Sequence, residues 1–130
     1  DQFHTFNMFD CQAWYARDII MNKIKMPNKM EIENDINKWV SMEEKLENPD
    51  QMIDFQTEYT KELHEMSDYP EIDFELIRKH FKEWEHHKIE DIMTYRNKSF
   101  SSPVTGSVAP IHHTPWASAM DDSLKTFLDK

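Results

Sequence analysis

The chain of 130 residues reads as a mainly α-helical segment of four to five helices. Three observations predict this. Apolar residues recur at spacings of three and four over most of the length, as one face of a helix requires. Strand-like alternation is nearly absent. Asn, Asp and Pro interrupt the pattern where helix starts and stops belong.

The first helix is expected to start near Asn7, with Asp10 three residues on as an approximate capping pair. Phe9, Ala13, Ala16, Ile20 and Ile24 then form a single apolar stripe, and Pro27 ends it. A second helix opens at Asn28 with Glu31 in the capping-box position; Ile32, Ile36, Trp39 or Val40, and Leu46 supply its buried face. Asn48-Pro49-Asp50 is a stop followed by a new start, because Pro suits the first helical position. The third helix has the cleanest stripe: Met52, Phe55, Tyr59, Leu63 and Met66. The turn Asp68-Tyr69-Pro70 precedes Asp73, which caps a fourth helix over about Phe74 to Tyr95. Its stripe shifts between Trp84 and Ile89, which predicts a bend or a change of neighbour. From Asn97 to Pro115 the pattern dissolves into Ser, Thr, Pro and a lone Gly, a segment expected to wrap over the surface. A short terminal helix, Trp116 to Leu128, closes the chain.

Composition excludes several functions. A dinucleotide cradle of the G-x-G-x-x-G type needs three glycines for close backbone approach to the pyrophosphate, and this chain has only Gly106. A net charge of −10, from 15 basic and 25 acidic residues, disfavours nucleic acid and anionic membrane as partners. No apolar run approaches the roughly 20 residues that span a bilayer. The single Cys11 leaves no intrachain disulfide, and its place among aromatics in a helix favours a buried, inert thiol over a reactive one. A soluble, cytoplasmic protein is expected.

Two constellations invite a chemical reading. Glu83 and His86 have the Glu-x-x-His spacing of di-iron bundles, with His87 beside them, but a second half-site is missing because Lys61 stands three residues before His64. A solvated helix face with paired charges is favoured over a metal site. His112 and His113, with His4, offer imidazoles in search of a carboxylate, and nothing in the pattern supplies one. No nucleophile–base set stands out, so neither catalytic residues nor metal ligands are assigned.

The opening run, Asp1 to Asp18, has no initiator Met and begins at full aromatic density. It reads as the interior of a larger protein. Phe3, Phe6, Phe9, Trp14 and Tyr15 point in several directions, and a helix apolar all round must be covered all round. Three blocks, Asp1 to Asp18, Phe81 to Met93, and Pro110 to Trp116 with Asp121 to Leu124, resemble the bacterial flavin-containing monooxygenases, the trimethylamine monooxygenase group in particular. The resemblance covers essentially the whole chain, although the family's glycine-rich fingerprints would lie upstream of it.

The resemblance implies the C-terminal part of an α/β fold with two dinucleotide-binding domains, holding FAD and NADPH. It implies N-oxygenation of small tertiary amines, trimethylamine to its N-oxide, with O2 and a flavin C4a-hydroperoxide as the oxygen donor. Residues 1–26 would then end the FAD domain, 27–96 form a helical layer and 97–130 wrap around it. Gln2 and Thr5 match positions against the flavin. Asn7 would aim a helix N-terminus at it. Phe3 stands where relatives tend to carry Trp, and would line the amine pocket through a cation–π face. Trp84 matches a residue packed near NADP, and a plain core role fits it equally. The N-terminal part of the same enzyme is the implied partner, with a homodimer left open. An autonomous helical binding or scaffold domain without catalysis is the alternative.

Overall fold

Four helices appear in a computed structural model that describes residues 3–108: α1 Thr5–Ile20, α2 Lys29–Glu43, α3 Pro49–Glu65 and α4 Phe74–Glu90, followed by a 3-10 turn at Tyr95–Asn97. The mainly helical reading holds for these residues. Among them the one pairing of extended chain is an isolated antiparallel bridge between Ser101 and Val108. No helix among the described residues is long and apolar enough to cross a membrane. The terminal helix expected over Trp116 to Leu128 lies outside the described residues.

Local capping chemistry sets three of the four helix starts. The Asn28 side chain accepts from Glu31 N–H at 3.0 Å, while Glu31 accepts from Asn28 N–H at 2.7 Å, a complete capping box for α2. Asn48 accepts from Gln51 N–H and Pro49 opens α3. Asp73 accepts from Leu76 N–H at the start of α4. The first helix departs from expectation. It starts at Thr5 rather than Asn7, and the residue in its N-cap position, His4, provides no side-chain cap. Its cap comes from another helix, as described below.

Packing is organised around α3, which meets α4, α1 and, less extensively, α2. Its deepest residues are Ile53, Gln56, Thr57, Thr60 and Leu63. Of the expected stripe only Leu63 lies at this depth. Phe55 and Tyr59 are half-buried because they face α2, where Trp39 meets both rings edge-on at 5.4 and 5.0 Å. The inner face, caught between α1 and α4, is lined largely by polar groups with local partners: Thr57 donates to Ile53 C=O at 2.7 Å and Thr60 to Gln56 C=O at 2.8 Å.

The expected buried faces of α1 and α2 turn outward. On α1, Phe9 is 53% and Ile20 78% exposed, with Ala13 and Ala16 exposed beside them. Cys11 and Asp18 make the buried seam instead. On α2 no residue is buried, and Ile32, Ile36 and Val40 are exposed. Asp18 stays ionically satisfied through Arg17 at 2.6 Å and Lys23 at 3.4 Å, and both cations also reach Asp68 beyond α3. Cys11 is buried, as expected, and burial with the nearby Asp10 charge pushes its thiol up to about 11.

Of the offset residues near the end of α4, Ile89 is still helical but 79% exposed, and the helix ends at Glu90 rather than Tyr95. Asp91 lies past the last turn and accepts from Met93 and Thr94 N–H, which leaves Ile92 and Met93 outside the helix and exposed. The chain then returns over α4. Asp73 N–H donates to Pro103 C=O at 3.1 Å, and Gly106 takes a left-handed φ of 71° in the turn closing the Ser101–Val108 bridge. The described part of the expected wrapping segment thus packs on the start of α4.

Candidate functional site

Aromatic side chains from the two ends of the described chain converge on one concave face. Where the residues leading into α1 meet the middle of α4, and the segment Phe100–Pro103 lines the same face, they border a cleft of about 380 Å³. Phe3 and Phe81 meet edge-on at 5.7 Å, and the His4 ring lies 4.9 Å from Phe81. Phe100 packs against His80 at 5.0 Å. Trp84, one turn beyond Phe81, closes one end and is held edge-on by Tyr95 at 5.3 Å, with the Lys88 ammonium 5.0 Å from its ring centroid. Phe6 lines the cleft while 84% exposed. Concave, mainly apolar surfaces with a few fixed polar groups are where small ligands bind.

The polar chemistry of this wall is concentrated in His4, which is 2% exposed. Its Nε2 lies 2.9 Å from Thr57 Oγ1. The Thr57 hydroxyl proton is already donated to Ile53 C=O, so Nε2 carries the hydrogen and Thr57 accepts. Nδ1 is then a lone-pair acceptor, and it has no hydrogen-bond partner among the described residues. Burial, reinforced by the positive Arg78 nearby, pushes the imidazole down to about 4, so it is neutral at physiological pH. His80 donates from Nε2 to Ser101 C=O at 3.1 Å and fixes the returning segment against α4.

The start of α1 is held from α3. Gln56 Oε1 accepts from Phe3 N–H at 2.8 Å and from His4 N–H at 3.3 Å, which satisfies two donors that no local side chain reaches. Phe3, His4 and the first turn of α1 are therefore set by Gln56 and Thr57, more than fifty residues along the chain.

Of the residues singled out from sequence, Phe3 and Trp84 line this one cleft, with Asn7 on its rim. Thr5 is the half-buried first residue of α1 and is not among the cleft residues. Gln2, His112 and His113 lie outside the described residues. His4, considered with His112 and His113, donates from Nε2 to Thr57. Glu83, His86 and His87 border a different depression of about 500 Å³ on the charged flank of α4, where Glu83 pairs with Lys79 and His80. Among the described residues no three His, Cys, Asp or Glu side chains converge to hold a metal ion. Sequence reasoning missed Gln56, Phe81, His80 and Phe100. No local signal marked Gln56, because its neighbours on that face, Thr57 and Thr60, are polar as well.

Among its described residues the chain offers a helical layer with an aromatic-lined cleft. No family model matches the chain. It is 86% identical over all 130 residues to trimethylamine monooxygenases of Pelagibacter sp. strain HTCC7211 and Pelagibacter ubique strain HTCC1002. It is 50% identical to that of Methylocella silvestris over the same length. The chain spans 29% of the length of each of these relatives. The crystal structure of Tmm from Pelagibacter sp. strain HTCC7211 superposes with a TM-score of 0.84 at 87% identity, covering 98% of this chain and 29% of that one. Over its whole length the chain is thus similar to part of the trimethylamine monooxygenases.

Proposed function

We propose that the chain is the C-terminal part of a cytoplasmic, FAD- and NADPH-dependent monooxygenase that converts trimethylamine to its N-oxide, and that it is inactive without the N-terminal part. The observation that carries this reading is the convergence of Phe3 and Trp84 on one neutral aromatic cleft. The relatives named above as trimethylamine monooxygenases support it.

The residues present fit the ring portions of such cofactors. Planar heterocycles stack on or abut aromatic faces, and the unpartnered His4 Nδ1 suits a ring or amide N–H. Gln2 and Thr5 would meet the flavin edge, and Trp84 would pack beside the nicotinamide cofactor. When bound, the two cofactors supply the electrons that activate O2; one oxygen atom goes to the amine nitrogen and the other leaves as water.

The chain's own contribution is shape and electrostatics. Phe3, Phe81 and Phe100 present apolar surface that keeps water from the reacting centre. Their ring faces attract a small methylated ammonium by cation–π contact, and none donates a hydrogen bond to the lone pair of the neutral amine that is oxidised. His4, held neutral by burial, places no positive charge against that amine.

Full-length protein carrying this sequence should purify with the visible absorption of bound flavin and should oxidise NADPH in a trimethylamine-dependent manner. A colourless preparation with no turnover would end the reading.

A further inference from the structure

We infer that Gln56 is a positioning residue for the cleft: from α3 it fixes the start of α1, and through it the placement of Phe3 and His4 against α4. This rests on the functional reading above and extends it to a residue that does not line the cleft.

The geometry is specific. Helix α1 begins without a side-chain cap of its own. The carboxamide oxygen of Gln56 has two lone pairs, and they take the N–H groups of Phe3 and His4 at 2.8 and 3.3 Å. Gln56 is 8% exposed, so the arrangement is shielded from competing water. Its own backbone is tied into α3, since its carbonyl accepts from Thr60 Oγ1 at 2.8 Å. The residue after it, Thr57, accepts from the His4 ring at 2.9 Å. One helical turn therefore grips both backbone and side chain of the α1 entry. Phe3 has no other described hydrogen bond to its N–H, and its ring touches Phe81 on the far side. Losing the Gln56 oxygen would free the Phe3 backbone while deleting no cleft side chain. A shift of about 1 Å at a binding wall is enough to lower turnover by as much as 100-fold.

The test uses the full-length, flavin-loaded protein. Gln56→Leu removes the acceptor at similar size, whereas Gln56→Glu keeps an acceptor oxygen in reach. Ile53→Ala, one turn earlier on the same buried face, weakens α3 while keeping the Gln56 and Thr57 side chains. Two quantities are read: hydrogen exchange of the peptide bearing the Phe3 and His4 amides, and the amine KM separately from kcat. Gln56→Leu should abolish amide protection there and raise KM at least tenfold. Gln56→Glu should restore protection and bring KM back to within about threefold, and Ile53→Ala should leave KM within about twofold. If Gln56→Leu does not fold, Gln56→Asn, one methylene too short, takes its place with the same expectation. Unchanged amide protection in the variant, or an equal KM shift in Ile53→Ala, overturns the inference. If the parent protein neither holds flavin nor consumes trimethylamine, the functional reading falls, and the exchange data still decide whether Gln56 positions the α1 entry.

Discussion

The two faces of α1 carry the opposite chemistry from that of a free-standing bundle. The inner face, against α3, holds Cys11 and the ionised cluster of Asp18, with His4 just ahead of the helix and Gln56, Thr57 and Thr60 opposite. The outer face holds Phe6, Phe9, Ala13 and Ile20, all exposed. Polar groups inside are tolerable because, His4 Nδ1 apart, they have defined partners, and such pairing fixes one register and orientation at some cost in burial. Apolar groups outside gain nothing in water. The contrast teaches that α1 is a two-sided element: the inner face sets its position within this segment, and the outer face, on the proposed reading, meets the rest of the enzyme.

The largest test of that contrast is a charge on the outer face. Phe9→Asp with Ile20→Asp should destabilise the full-length protein by several kcal/mol, because an unpaired carboxylate would be buried there. The same pair in the isolated segment should cost no more than about 0.5 kcal/mol per site. Chemical denaturation of both proteins gives the comparison, and an unaffected full-length protein would show that the outer face stays in water.

A smaller effect probes the inner face. The folded His4 titrates at about 4 against an ordinary 6.5, so the unfolded chain binds the extra proton between those values. Stability is therefore full above about pH 6.5, falls as pH drops towards 4 and levels off below, with a total of roughly 3 kcal/mol from this group. Denaturation midpoints across that window should show the decline, and His4→Gln should flatten it. Asp68, held low by its hydrogen bonds to Lys23 and Arg17, acts further down, as pH falls below its ordinary 3.8.

The smallest effect lies furthest from the site. Asn28→Ala breaks the capping box of α2 and should cost about 1 kcal/mol. It should leave flavin content and amine KM unchanged, since α2 contributes nothing to the cleft.

What could be read from the chain divides along the same line. The starts of α2, α3 and α4 were legible because Asn28, Asn48 and Asp73 cap their helices within three residues. The start of α1 was not, since its cap is Gln56, and no local pattern reports a partner so distant in sequence. The apolar stripes of α1 and α2 were seen correctly as stripes. Their burial was misplaced because a hydrophobic pattern records what must be covered, not what covers it. The polar inner face of α3 escaped because Gln56, Thr57 and Thr60 look like surface residues until their hydrogen bonds are drawn. Phe3 and Trp84 came from family resemblance, whereas their shared cleft with Phe81 and Phe100 is a property of the fold.

The attachment of α2 has a consequence for how this layer breathes. Its described grip on α3 is the Trp39 indole wedged at Phe55 and Tyr59, with Lys38 paired to Glu62. Segments held by so few buried contacts open as separate cooperative units at a fraction of the global free energy. The amides of α2 should therefore exchange with solvent faster than those of α3, an ordering that hydrogen exchange reads directly.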